Sequence, residues 1–252
     1  MNNWLNFTFK KIFLFALILL IAINSVGVAS EDALIMKTAM PLFIPVFLIF
    51  FLVKYNKLGV AFILFLLFSF LGDIASMFFS EEILLEATSI LYIISYLYLL
   101  IMVLPKFKFL EVNAIVGTYL LLVFSITIYF LYLIYSVLQT IIPNHTEVLL
   151  FGLKSAVLIV LGFISFAVYL NTQTKQSVLF LTAIIFFGLS VIMNYINLYY
   201  LYNWSFELLQ RVLYALALYV MFIYIMNSNF IKKPKQIKIK ESEHYASDTV
   251  LS

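Results

Sequence analysis

The chain has 252 residues, 65% of them hydrophobic and only 11% charged, with a mean hydropathy of +1.11 and a formal net charge of +3. Soluble chains carry about 25% charged residues, so this one has too few polar side chains to face water and must be covered by lipid; its weak net charge gives no case for nucleic acid. It has no cysteine, which excludes disulfides, thiol nucleophiles, cysteine-based metal sites and iron-sulfur clusters.

Apolar runs of roughly twenty residues, each long enough to cross about 30 Å of hydrocarbon as a helix, recur along the chain between short polar breaks. Spans are predicted at residues 12–28, 33–53, 58–79, 83–104, 112–138, 148–170, 178–201 and 206–226. With so little polar sequence between them, each helix must satisfy its own backbone and pack against its neighbours. The predicted fold is an all-α, polytopic membrane bundle of about eight helices. It forms a single domain over residues 1–228, and residues 229–252, charged and poor in large apolar side chains, read as a disordered tail. In the second span, Pro41 and Pro45 interrupt the apolar run.

The lysines set the orientation. Lys10 and Lys11 precede the first span, Lys54 and Lys57 follow the second, Lys106 and Lys108 follow the fourth, and Lys175 follows the sixth. The alternate connections carry Glu31, Asp32, Glu81, Glu82, Glu147 and Glu207 and no lysine or arginine. By the positive-inside rule the basic side, with both termini, is cytoplasmic. A composition rich in Lys, Ile, Asn, Phe and Tyr suggests an AT-rich bacterial genome and hence a bacterial inner membrane. A second reading takes Lys10, Lys11 and the run before Ser30 as a cleaved signal peptide, leaving seven spans in the same orientation.

Four charges fall inside the apolar runs: Lys37, Asp73, Lys154 and Arg211. A charge at such depth is costly enough to make function the first hypothesis. All four sit at a similar shallow depth below the acidic side, and Asn194 and Asn197 reach the same layer, so a polar cavity opening outward is expected. The bland readings differ by residue. Lys37 lies near a helix end and can snorkel to the interface. Arg211 and Glu207, four apart in acid-first order, form a structural pair. Lys154 lies deeper in its run and is left open between the two readings. Asp73 is the strongest functional candidate, because a lone carboxylate between apolar segments needs a cationic or hydrogen-bonding partner or a proton. His145 and His244 are isolated and lack metal-ligand spacing. The many tyrosines, Tyr92, Tyr96, Tyr98, Tyr195 and Tyr199 among them, read chiefly as interfacial or packing residues.

The segment Leu66 to Phe78, LLFSFLGDIASMF, resembles the glycine-aspartate signature in the third helix of the lysoplasmalogenase (YhhN-like) family of eight-helix membrane proteins. Lys37 with Pro41, the tyrosine-bearing fourth span, and Phe187-Gly188-Leu189-Ser190-Val191, similar to that family's Phe-x-x-Ser-Asp motif, point the same way. The resemblance implies hydrolysis of the vinyl-ether bond of lysoplasmalogens. Asp73 would be the acid or base, and Lys37, Lys154, Arg211, Asn194, Ser190 and Glu207 would hold a lysophospholipid-like substrate. No cofactor is implied. A vinyl ether is cleaved by protonating its β-carbon and adding water to the oxocarbenium ion, which calls for a carboxylic acid and preferably a second group for the water. The departures are that Val191 stands where the family has its second aspartate, that Ser95 stands where it often has a histidine, and that proline does not directly follow Lys37. Hydrolase, non-catalytic lysolipid-binding or regulatory protein, and transporter using Asp73 as an ion site all remain as readings.

Overall fold

The structure is a computed structural model that describes residues 2–30, 35, 38–54, 59–78, 82–107, 114–201 and 203–231. It is all-helical over these residues. The α-helices are α1 (Asn2–Ala29), α2 (Phe43–Lys54), α3 (Val60–Phe78), α4 (Glu82–Val103), α5 (Ala114–Ile141), α6 (His145–Thr172), α7 (Lys175–Tyr199) and α8 (Trp204–Ile231). Six of the described helices, all but α2 and α3, hold segments long and apolar enough to cross a membrane, and α3 adds a shorter apolar segment at Val60–Ser76. The chain is therefore a helical membrane bundle.

The second run differs most from its expected form. Thr38 and Ala39 are helical, Met40, Pro41 and Leu42 form a turn, and only the 12 residues of α2 continue. Proline supplies no N–H and disfavours helical geometry in the residue before it, so a break at Met40-Pro41 follows directly. The turn is closed by the Phe43 N–H on the Met40 carbonyl at 3.2 Å. Pro45 does not interrupt anything: it sits in the first turn of α2, where an N–H would lack an intrahelical partner. The other helices agree with the expected spans to within a few residues, except that α1 starts earlier, at Asn2, and α8 runs past the expected tail boundary to Ile231. Residues 232–252, the rest of that tail, lie outside the described residues.

Seven helices close into a ring through the pairs α1/α8, α8/α7, α7/α6, α6/α4, α4/α3, α3/α2 and α2/α1. Helix α5 packs on α6 beside the ring, and only 6% of its apolar span is buried. Packing a ring of helices buries large side chains where they converge, and here these are aromatic. Phe187 of α7 lies 5.8 Å from Phe65 of α3 and 5.8 Å from Tyr214 of α8, ring centre to ring centre, and Phe43 of α2 meets Tyr214 at 6.4 Å. Helix α1 is held by Phe13, stacked on Phe222 of α8 at 4.1 Å. Ser69 and Ser95 share a hydrogen bond of 2.6 Å that draws α3 and α4 together. This is the use of small hydroxyl residues expected where helices have no water to escape from.

Candidate functional site

Where α3 and α7 end and α4, α6 and α8 begin, the ring opens into a polar cavity of about 280 Å³. This is the end opposite Lys106 and Lys175. The helix termini that build it are capped from their own sequence. Asn144 accepts the N–H groups of Thr146 (2.9 Å) and Glu147 (3.4 Å) at the start of α6, and its amide donates to Glu86 of α4 at 3.3 Å. Such caps use an orphan first-turn donor to fix the chain entering a helix. Asn197 accepts the Asn203 N–H at 2.9 Å and so shapes the α7–α8 turn. It is not among the cavity-lining residues, contrary to the layer it was expected to share with Asn194.

Of the residues singled out by sequence, Lys154, Asn194, Glu207 and Arg211 all line this cavity. Ser190 lines a smaller recess of about 50 Å³ that continues it inward, and donates to the Gln210 carbonyl at 2.9 Å. Lys37 lies outside the described residues. Arg211 is engaged by its own surroundings: it donates to Glu207 at 2.6 Å and to the side-chain oxygen of Asn24 at 2.6 Å. The expected structural pair of Arg211 and Glu207 is present. Lys154 makes no hydrogen bond or ion pair with any described residue, while Glu147, on the same face of α6 two turns earlier, accepts from the Tyr199 hydroxyl. Lys154 is half-buried and shares the cavity with the Glu147 carboxylate without contacting it directly, so its ammonium keeps donors for a polar or anionic guest.

Asp73 is completely buried and is not part of the cavity lining. Of the cationic or hydrogen-bonding partners expected for it, the structure provides hydrogen-bonding ones: two tyrosine hydroxyls, Tyr92 of α4 and Tyr214 of α8, donate to it, the latter at 3.1 Å. Neutral donors satisfy a carboxyl group without taking a second ion out of water, which explains how it persists in an apolar bundle. Tyr92 belongs to both environments, lining the cavity and its recess while donating to Asp73. The glycine next to Asp73 has a steric reason. A Cβ at Gly72 would stand 3.3 Å from the Tyr92 ring, so glycine lets that ring lie over the third helix and reach the carboxyl.

Sequence reading missed three participants. Tyr92 and Tyr214 carry no local signal that separates them from the other tyrosines, since their partner is distant in sequence. Asn24 was detectable as an amide inside an apolar run, a costly position of the same kind as a buried charge. Its amide group donates to the carbonyls of Leu20 at 3.0 Å and Ala39 at 3.2 Å while its oxygen receives Arg211. Of the positions where the chain departs from the pattern it resembles, Val191 lines the cavity and Ser95 is buried against Ser69, while Lys37 lies outside the described residues. Comparison with protein families, with characterised proteins and with solved structures finds no match to this chain.

Proposed function

We propose that this chain is a lysoplasmalogenase-like protein of the bacterial inner membrane, with eight spans and cytoplasmic termini, that takes a lysophospholipid-like substrate into the outward cavity and cleaves its vinyl ether. The observation that carries this reading is the meeting, in one cavity, of Lys154, which makes no direct ion pair with a described residue, and a Tyr92 that donates to the buried Asp73. Lys154 would receive the phosphate. The proton would reach the β-carbon of the vinyl ether through the Tyr92 hydroxyl, from the Asp73–Tyr92 pair. Water then adds to the oxocarbenium carbon and returns a proton to the pair, and the hemiacetal breaks into a fatty aldehyde and a glycerophospho-base. With Val191 in place of a second acid, Glu147 is the carboxylate of the cavity suited to orienting that water. In purified protein this reading expects aldehyde release from a lysoplasmalogen, lost in both Asp73→Asn and Tyr92→Phe. No release above background from the wild type would end the hydrolase reading.

A second reading, lysolipid binding without turnover, is favoured by one specific fact: the Asp73 carboxyl stays behind the cavity wall. It expects thermal stabilisation by a lysolipid that survives Asp73→Asn. The transporter reading has less support. Repeat-built transporters place broken helices in both halves, and α5 to α8 run unbroken among the described residues.

A further inference from the structure

Beside the polar cavity, α5, α6 and α7 enclose a second space of about 290 Å³ with an almost wholly apolar wall. Helix α5 supplies Phe130 and Ile134, α6 supplies Leu158, and α7 supplies Ile184 and Ile185. Gly162 and Gly188 line it without side chains, one on α6 and one on α7. Phe130 and Ile185 are 58% and 50% exposed, so the groove opens on the outer surface of the bundle, toward lipid. On α6 it runs from Phe151 to Gly162, about 16 Å at the rise of a helix. That is close to one leaflet of hydrocarbon, about 15 Å.

The groove adjoins the polar cavity. Phe151, Val191 and Tyr195 line both. A polar chamber that carries both Lys154 and carboxylates, adjoining an apolar groove one leaflet deep, matches a phosphate-bearing zwitterionic head with a single hydrocarbon chain. A molecule with two chains would leave its second chain without a groove. We infer that the α5–α6–α7 groove is the binding site for the hydrocarbon chain of a single-chain phospholipid, which enters sideways from the outer leaflet and lodges its phosphate beside Lys154. This rests on the proposed reading for the head group but not on hydrolysis.

Two features explain how the groove is kept open. Helix α5 leaves α7 largely uncovered along this stretch because it packs mainly against α6, where Gly152 admits the Tyr135 ring at 3.1 Å from a would-be Cβ. At the far end, a Cβ on Gly162 would meet only Ile184, at 4.0 Å, so a larger side chain there fills the groove without striking backbone.

The test uses saturated acyl lysophosphatidylcholine, which contains no vinyl ether, with a photoreactive diazirine at the chain end and the whole chain of the protein in diacyl-lipid nanodiscs. The expected result is cross-linking concentrated on 151–162 of α6 and 184–195 of α7, competed by unlabelled lysolipid and not by diacyl lipid. In Gly162→Leu, long-chain probes should lose affinity at least fivefold while short-chain probes bind as in wild type. A Gly162→Ala variant controls for folding. Labelling spread over the lipid-facing helices, or Gly162→Leu binding all chain lengths alike, overturns the groove as a chain site and reports ordinary bilayer contact. Because aldehyde release is read separately, turnover with scattered labelling would sink the groove alone. Focused labelling without turnover would sink the hydrolase alone.

Discussion

The Asp73 carboxyl, inside an apolar bundle, is satisfied by hydroxyl groups that bring no charge of their own. Tyr92→Phe removes one donor and leaves part of a buried acceptor unmet, which costs about 1–3 kcal/mol. A lowered unfolding temperature in detergent is therefore expected, and an unchanged one would show that the hydroxyl contributes no stability. Gly72→Ala probes the same contact from the other side. Its methyl group would press the Tyr92 ring from 3.3 Å, so a loss of about 1–3 kcal/mol typical of overpacking is expected, together with reduced turnover. Stability equal to wild type would mean that the ring yields freely. The Gly-Asp signature was legible in the sequence as an acid at depth. Its tyrosine partners were not, because the sequence holds 17 tyrosines and hydrogen-bonding across helices leaves no mark on local spacing.

Among the helices, α1 is the one whose standing sequence left open. Its apolar run and basic start fit a signal peptide as well as a span. In the structure this element packs into the bundle: Phe13 stacks on Phe222, and Asn24 links α1 to Ala39 and to Arg211 of α8. Asn24→Leu preserves bulk but deprives Arg211 of an acceptor, and a hydrogen bond to a charged group is worth about 1.5–3 kcal/mol. Thermal unfolding should shift down accordingly, with α1 becoming the first segment cut in limited proteolysis; protection equal to wild type would contradict this role. The break at Met40-Pro41 was readable from proline chemistry alone. The withdrawal of α5 to the outside was not, because an apolar run of its length looks the same whether it faces neighbours or lipid.

Taken whole, the ring places every described acidic connection at the cavity end and Lys106 and Lys175 at the other, in keeping with the alternation read from the sequence. The absence of cysteine allows a clean topology test. With a membrane-impermeant maleimide on intact cells, His145→Cys should be labelled at once and Lys175→Cys only after lysis; the reverse pattern would invert the bundle and close the cavity to the outside.

The central claim is that the cavity receives the phosphate of a lysolipid head group on Lys154. It is tested most directly by the Kd of an acyl lysophosphatidylcholine for the purified protein and for Lys154→Gln. Loss of a hydrogen-bonded charge contact of about 1.5–3 kcal/mol weakens binding by about tenfold to a hundredfold. Such a loss in Lys154→Gln is expected. Equal affinity for wild type and Lys154→Gln would contradict the account.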